Sequence, residues 1–160
     1  MINRDTHALY LPVRMKLLSF LHYTNMHIHN GFLEPFETFR SKKRQQELYN
    51  KGASKTTTSL HQLGLAVDVW FNREDGSWPS GKELDEWVHW SEFGELAKAH
   101  EFEWGGDFKN HDKVHLQATF GVDESVLKKI YSIKERKGVW LFLDDIIENR
   151  KNFELLTEKE

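Results

Sequence analysis

No cysteine occurs anywhere in the 160 residues. Disulfides and thiolate ligands are therefore excluded, and any metal held by this chain must sit on histidine, aspartate or glutamate. Long apolar runs are missing too. The longest patch near the start, Leu17-Leu18-Ser19-Phe20-Leu21, is too short for the apolar region of a signal peptide and runs into His22 and Tyr23. No stretch approaches the roughly 20 apolar residues of a membrane-spanning helix, so membrane insertion is not expected. An excess of positive charge is also absent: 22 Lys and Arg against 25 Asp and Glu leave a formal net charge of -3. That balance argues against a polyanion binder, and the short basic run Lys42-Lys43-Arg44 reads as a solvated helix face. Nucleic acid is not expected as a partner.

What remains is an ordinary globular composition, 39% hydrophobic and 29% charged, at a length that suits one domain with a proper core. The 6 tryptophans are numerous; most are expected in the core, with part of the surplus lining a ligand groove. Pro12 suits the first turn of a helix, continued by Val13, Leu17, Phe20 and Leu21 and stopped near Gly31. His22, His27 and His29 near its end read as surface or capping residues. Phe36-Glu37-Thr38-Phe39 alternates like a strand closed by Arg40. Ser41 caps a polar helix that runs to about Lys51 and ends at Gly52. Ala66 to Phe71 is a strand, Glu83 to His100 is helical with a break near Ser91, and short strands are expected at Phe102-Glu103-Trp104 and at His115 to Ala118. Beyond Asp123, Val126 to Tyr131 and Val139 to Ile147 form two amphipathic helices interrupted at Gly138. The division expected is 1–122 as the main domain and 123–160 as a helical extension packed on it, too small to stand alone.

The chemistry gathers around Ser59-Leu60-His61-Gln62-Leu63-Gly64-Leu65-Ala66-Val67-Asp68. Asp68 lies inside an apolar strand, where an unpaired carboxylate is too costly to keep. On one straight strand His61 and Asp68 would face opposite ways, but a turn at Gly64 lets the imidazole reach back. Asp112-Lys113-Val114-His115 offers a second imidazole with a carboxylate beside it. Two imidazoles and a carboxylate with an open fourth position make the ligand set of a catalytic zinc. In that reading His115 binds metal and Asp112, just off it, takes a proton from water. The same residues also fit a chain in which Asp68 caps a turn and the histidines are ordinary. The helical His-Glu-x-x-His motif is absent, which removes that class of metallopeptidase.

The run Ser59-x-His61-x-x-Gly64-x-Ala66-x-Asp68, then Trp104-Gly105-Gly106-Asp107 and Asp112-x-x-His115, resembles the zinc peptidases of the D-alanyl-D-alanine carboxypeptidase and L-alanyl-D-glutamate endopeptidase family, which includes phage endolysins. Phe39-Arg40-Ser41, Arg44-Gln45, Leu48-Tyr49, Gly52 and Ser54 resemble its arginine-bearing segment. The resemblance implies an α+β fold: a small, mainly antiparallel sheet carrying the zinc site, with helices packed on one side. It implies Zn2+ on His61, Asp68 and His115, Asp112 as general base, and Arg40 on substrate and on the developing oxyanion. Gln45 and Ser54 match positions near the substrate groove, with local hydrogen bonding as the other reading of each; Ser59 is expected to brace the histidine loop, and Asp107 to do likewise or simply to hold the Gly-Gly turn. Two departures stand out. Leu116 and Gln117 follow the last histidine where many members carry an aromatic residue and glutamate, and Phe108 stands where many have tryptophan.

The substrate implied is the stem peptide of bacterial peptidoglycan. The Asp-x-x-His form of the last motif favours L-alanyl-D-glutamate endopeptidase over D-alanyl-D-alanine carboxypeptidase, whose members more often have glutamate in the place of Asp112. A zinc-binding cell-wall module without catalysis is the third reading. A phage endolysin is expected to be made in the host cytoplasm without a signal peptide and to reach the wall by holin-type release. Oligomeric state is not legible.

Overall fold

A computed structural model of the chain describes residues 2–28 and 30–157, with side chains described as far as Lys151. His29 and the final residues of the 123–160 extension, 158–160, lie outside the described residues. The chain divides into two compact units, Met1–Ala118 and Thr119–Glu160.

The first unit begins with a 3-10 turn at Thr6–Ala8 and helix α1, Leu11–His27, with Pro12 in its first turn. Val13, Leu17, Phe20, Leu21 and Thr24 are its buried positions, and His22 and His27 are exposed on it. Strand β1, Gly31–Glu37, starts where the sequence suggested a helix stop and ends two residues before the expected Phe39. Pro35 conceals this strand, because proline cannot donate to a sheet ladder. It is tolerated since β1 is an edge strand, and the register shifts between Pro35 and Glu37. Helix α2 is Lys42–Asn50, capped by Ser41. The single turn α3, Leu60–Leu63, leads into β2, Ala66–Arg73. The helical stretch expected over Glu83 to His100 is two pieces, α4 at Gly81–Asp85 and α5 at Trp90–Ala99, parted just before the expected break. Strands β3, Glu103–Trp104, and β4, His115–Gln117, complete the unit.

The four strands form one antiparallel sheet in the order β1-β2-β4-β3. Period-2 alternation sorts their side chains. Val67, Val69 and Leu116 share one face and are completely buried. Helices α1 and α5 supply the matching apolar surface, where Phe20 and Phe93 meet edge-on at 5.2 Å and Phe102 joins them. The opposite face carries Asp68, His115, Gln117 and Glu103, aligned by the pairings Asp68 with His115 and Glu103 with Gln117. One face of the sheet makes the core and the other carries the chemistry.

The second unit is one helical stretch, α6, Glu124–Thr157, broken at Glu135. Glu135 has a φ of 55°, a left-handed value that costs a non-glycine residue. The interruption was expected at Gly138, three residues later. No helix among the described residues is long and apolar enough to cross a membrane.

Candidate metal centre

Three side chains from three elements converge on the polar face of the sheet. His61 comes from α3, Asp68 from β2 and His115 from β4, and their ligand-type atoms all lie within 4.8 Å of one another. Asp68 Oδ1 is 3.2 Å from His61 Nε2 and 3.0 Å from His115 Nδ1, and the two rings are 5.1 Å apart, edge to face.

Each arm has a local cause. Ser59 caps α3 in a reciprocal box with Gln62, its hydroxyl accepting from the backbone N–H of His61. Gly64 ends that turn with φ 74°, a left-handed conformation glycine adopts freely, and so reverses the chain into β2. His61, 1% exposed, donates from Nδ1 to the Thr38 carbonyl at 3.4 Å, which leaves the Nε2 lone pair for the cluster. Downstream, the Trp104-Gly105-Gly106 segment pins the loop that carries Asp112 and His115. The Gly105 carbonyl accepts from Asp112 N at 2.9 Å, and the Trp104 indole donates to the Lys113 carbonyl at 2.7 Å. A Cβ at Gly105 would run into the Asp112 carbonyl, so only glycine allows that approach.

The electrostatics follow from this packing. Burial alone would raise the pKa of Asp68, but the two imidazoles, by charge and by hydrogen bond, hold it far below the ordinary carboxylate range. Burial opposes a charge on His115, yet the bond to Asp68 and the charges of Asp68 and Asp112 outweigh it and raise its pKa. Asp112 keeps contact with solvent on the cleft wall; partial burial and the Asp68 charge push its pKa up, against His115, His61 and Arg40.

An open cleft of about 580 Å³ fronts the cluster, lined among others by Arg40, Arg44, Ser54, Lys55, Ser59, Phe108 and Asp112. Arg40 Nη2 lies 3.4 Å from Asp68 Oδ2, and Arg40 Nη1 donates to Gln45 Oε1 at 3.1 Å. Gln45 is fully buried behind it and passes the bond on from Nε2 to Ser54 Oγ at 2.9 Å and to the Thr56 carbonyl at 2.6 Å. Asp107 is not brought to the cluster: it is half exposed and pairs with Lys98 at 3.4 Å. One residue that sequence reasoning treated only as strand is Glu37. It is 3% exposed and binds the Arg40 guanidinium through Nε at 2.8 Å and through Nη2, with Arg44 Nε at 3.4 Å on its other oxygen. The signal available was a carboxylate in an alternating apolar segment three residues before an arginine.

The donor set fits a divalent zinc ion. Imidazole nitrogen and carboxylate oxygen are zinc's nitrogen and oxygen ligands, and the side facing the cleft is open.

Residues 52–118 match a family model described as D-alanyl-D-alanine carboxypeptidase. The chain is 39% identical to the peptidoglycan L-alanyl-D-glutamate endopeptidase CwlK of Bacillus subtilis (strain 168), over 51% of this chain and 57% of that protein. It is 36% identical to the L-alanyl-D-glutamate peptidase of Listeria phage A118, over 53% of this chain and 30% of that one. The chain thus spans less than two thirds of the length of either relative. Among solved structures, the L-Ala D-Glu endopeptidase ChiX of Serratia marcescens superposes with a TM-score of 0.56 at 24% identity, over 75% of this chain and 90% of that one, which shows a shared fold. With its motifs in order along the matched segment, this part of the chain is similar to the D-alanyl-D-alanine carboxypeptidase and L-alanyl-D-glutamate endopeptidase family of peptidases.

Proposed function

We propose that this chain is a zinc-dependent peptidoglycan peptidase that cuts the stem peptide between L-alanine and D-glutamate. The observation that carries the reading is the convergence of His61, Asp68 and His115 beside a cleft that Asp112 also lines. The names of the two curated relatives support the endopeptidase over the carboxypeptidase. Residues 1–122 are the catalytic domain in this proposal, and 123–160 an extension without independent function as a domain.

A zinc ion held by His61, Asp68 and His115 supplies Lewis acidity and an acidified water. Asp112, which lines the cleft beside the cluster, takes the proton of the attacking water and hands it to the leaving amine. Arg40 faces the developing oxyanion, and Glu37 and Gln45 hold its guanidinium in one orientation. Ser54 stands on the cleft wall at the end of the same bond chain and meets the substrate backbone. Ser59 keeps the His61 turn in shape, and Asp107 steadies the Gly-Gly turn through Lys98. As a phage lysin the protein is made in the host cytoplasm and reaches the wall by holin-type release.

Digestion of purified muropeptides followed by mass spectrometry tests the reading. New termini at L-Ala and D-Glu, abolished by a chelator and restored by zinc, are expected. Release of terminal D-alanine alone would replace the endopeptidase by the carboxypeptidase, and no cleavage at all would leave a binding module.

A further inference from the structure

The departure at Gln117 has a partner in space. Gln117 follows His115 by two residues on β4, so both side chains stand on the same face of the sheet. Its Oε1 accepts from His115 Nε2 at 3.1 Å. Its Nε2 donates to Glu103 Oε2 at 2.7 Å, across the β3–β4 pairing that sets Glu103 opposite Gln117. Gln117 is 7% exposed, whereas Glu103 is at the surface.

We propose that Glu103, acting through Gln117, is a positioning residue that fixes which ring nitrogen of His115 faces the metal. The argument is one of donors and acceptors. An ionised carboxylate can only accept, so it draws the NH2 group of Gln117 to itself. The amide oxygen then has to point at His115, and an oxygen there requires a proton on Nε2. The Nδ1 lone pair is left for the metal, on the side where Asp68 lies. Without the carboxylate at the end, an amide can turn either way and specifies nothing. The chain therefore keeps a carboxylate behind this histidine, one side chain further out, and Gln117 and Glu103 work as a pair. A carboxylate at 117 beside an unchanged Glu103 would set two acceptors against each other.

The inference rests on reading His61, Asp68 and His115 as the metal site, and it is tested on zinc affinity by chelator competition, with no substrate involved. Gln117→Leu should weaken zinc binding about 10- to 100-fold, the usual range for losing a partner behind a ligand, and Glu103→Leu should weaken it at least threefold. The His115 Nε2–H resonance of the zinc-loaded protein should be protected from exchange in the wild type and lost in Gln117→Leu. The exchanged pair Glu103→Gln with Gln117→Glu should return within about threefold of wild type, and Gln117→Glu alone should bind more weakly than that pair. Should a leucine variant fail to fold, Glu103→Gln, isosteric and at the surface, takes its place, with the same direction expected. Single variants that hold zinc as tightly as wild type, or Gln117→Glu matching the exchanged pair, would overturn the relay. Wild-type protein that takes up no zinc would instead sink the metal reading itself.

Discussion

Replacing Glu37 by leucine should destabilise the first unit by about 3 kcal/mol, although Glu37 itself neither binds metal nor lies at the proposed point of attack. The magnitude follows from what the change leaves behind. Glu37 and Arg40 have side chains only 4% and 12% exposed, and Glu37 accepts from both Nε and Nη2 of that guanidinium. Removing one member of a buried ion pair costs roughly 3–5 kcal/mol, most of it the penalty of the charge left unpaired. Here the lower end applies. Arg40 keeps its bond to Gln45 at 3.1 Å and the flank of Asp68 at 3.4 Å, and it borders a cleft that admits water. Glu37→Gln retains one acceptor and should cost nearer about 1 kcal/mol, the net value of an ordinary hydrogen bond.

Urea unfolding of the zinc-free protein, followed by tryptophan fluorescence, measures this. With a slope of about 2 kcal/mol per molar, the Glu37→Leu midpoint should fall by about 1.5 M. The double variant Glu37→Leu with Arg40→Met removes the orphaned charge and should recover at least about 1 kcal/mol of that loss, since an apolar pair of similar volume is often neutral or better. A single variant within about 1 kcal/mol of wild type, or a double variant no more stable than the single, would refute the argument that Glu37 is there to hold a buried cation.

Asp112→Asn should bind zinc within about threefold of wild type while losing about 10²- to 10⁴-fold in muropeptide cleavage, the range for a general base; metal analysis beside a cleavage assay separates the two. Asp68→Asn should lose zinc on dialysis, because a carboxylate with two imidazoles against it becomes a neutral amide; atomic absorption reads the stoichiometry. Zinc affinity should also depend on pH, with a sign set by His115. Its pKa in the metal-free protein is raised above the imidazole value, so zinc has to displace a proton below that pKa. Apparent affinity is therefore full above it and falls about tenfold per unit as pH drops through it, beginning at a higher pH than a free imidazole would give. Asp68, held far below the carboxylate range, adds no such loss near neutrality. Competition titrations between pH 6 and 8 check the slope, and a flat profile would remove His115 from the ligand set.

The strand carrying Asp68 and the capped turn carrying His61 were legible because their causes are local. Ser59, Gln62 and Gly64 announce a short turn with a stop, and an acid amid Val67 and Val69 announces a need for partners. Strand β1 was half hidden by Pro35, whose meaning depends on whether the strand is at an edge, and that is a property of the sheet and not of the segment. Glu37 was missed for the same reason: in an edge strand an acid at alternating spacing is usually a solvent-facing residue. The break at Glu135 had no marker at all, since Gly138 is where a left-handed residue would cost least. Gln117 was legible as a departure, but its partner was not. Glu103 and Gln117 meet only through the register of β3 on β4, which no local pattern encodes.

The two imidazoles illustrate why one histidine can be oriented by main chain and the other cannot. His61 sits on a one-turn helix beside the end of β1, where the Thr38 carbonyl is free of the sheet ladder and can accept from Nδ1. His115 sits on a strand whose neighbours on both sides use main-chain groups for pairing, β2 on one flank and β3 on the other. Its ring stands above the sheet, where the nearest acceptors are side chains on the same face. Along β4 the period of two makes residue 117 the next such position, and its cross-strand neighbours are Ala66, which has no polar group, and Glu103, which has. On the proposed metal reading, His115 on this central strand is oriented sideways through side chains. The geometry that offers residue 117 for the task also decides that the charge behind it comes from β3.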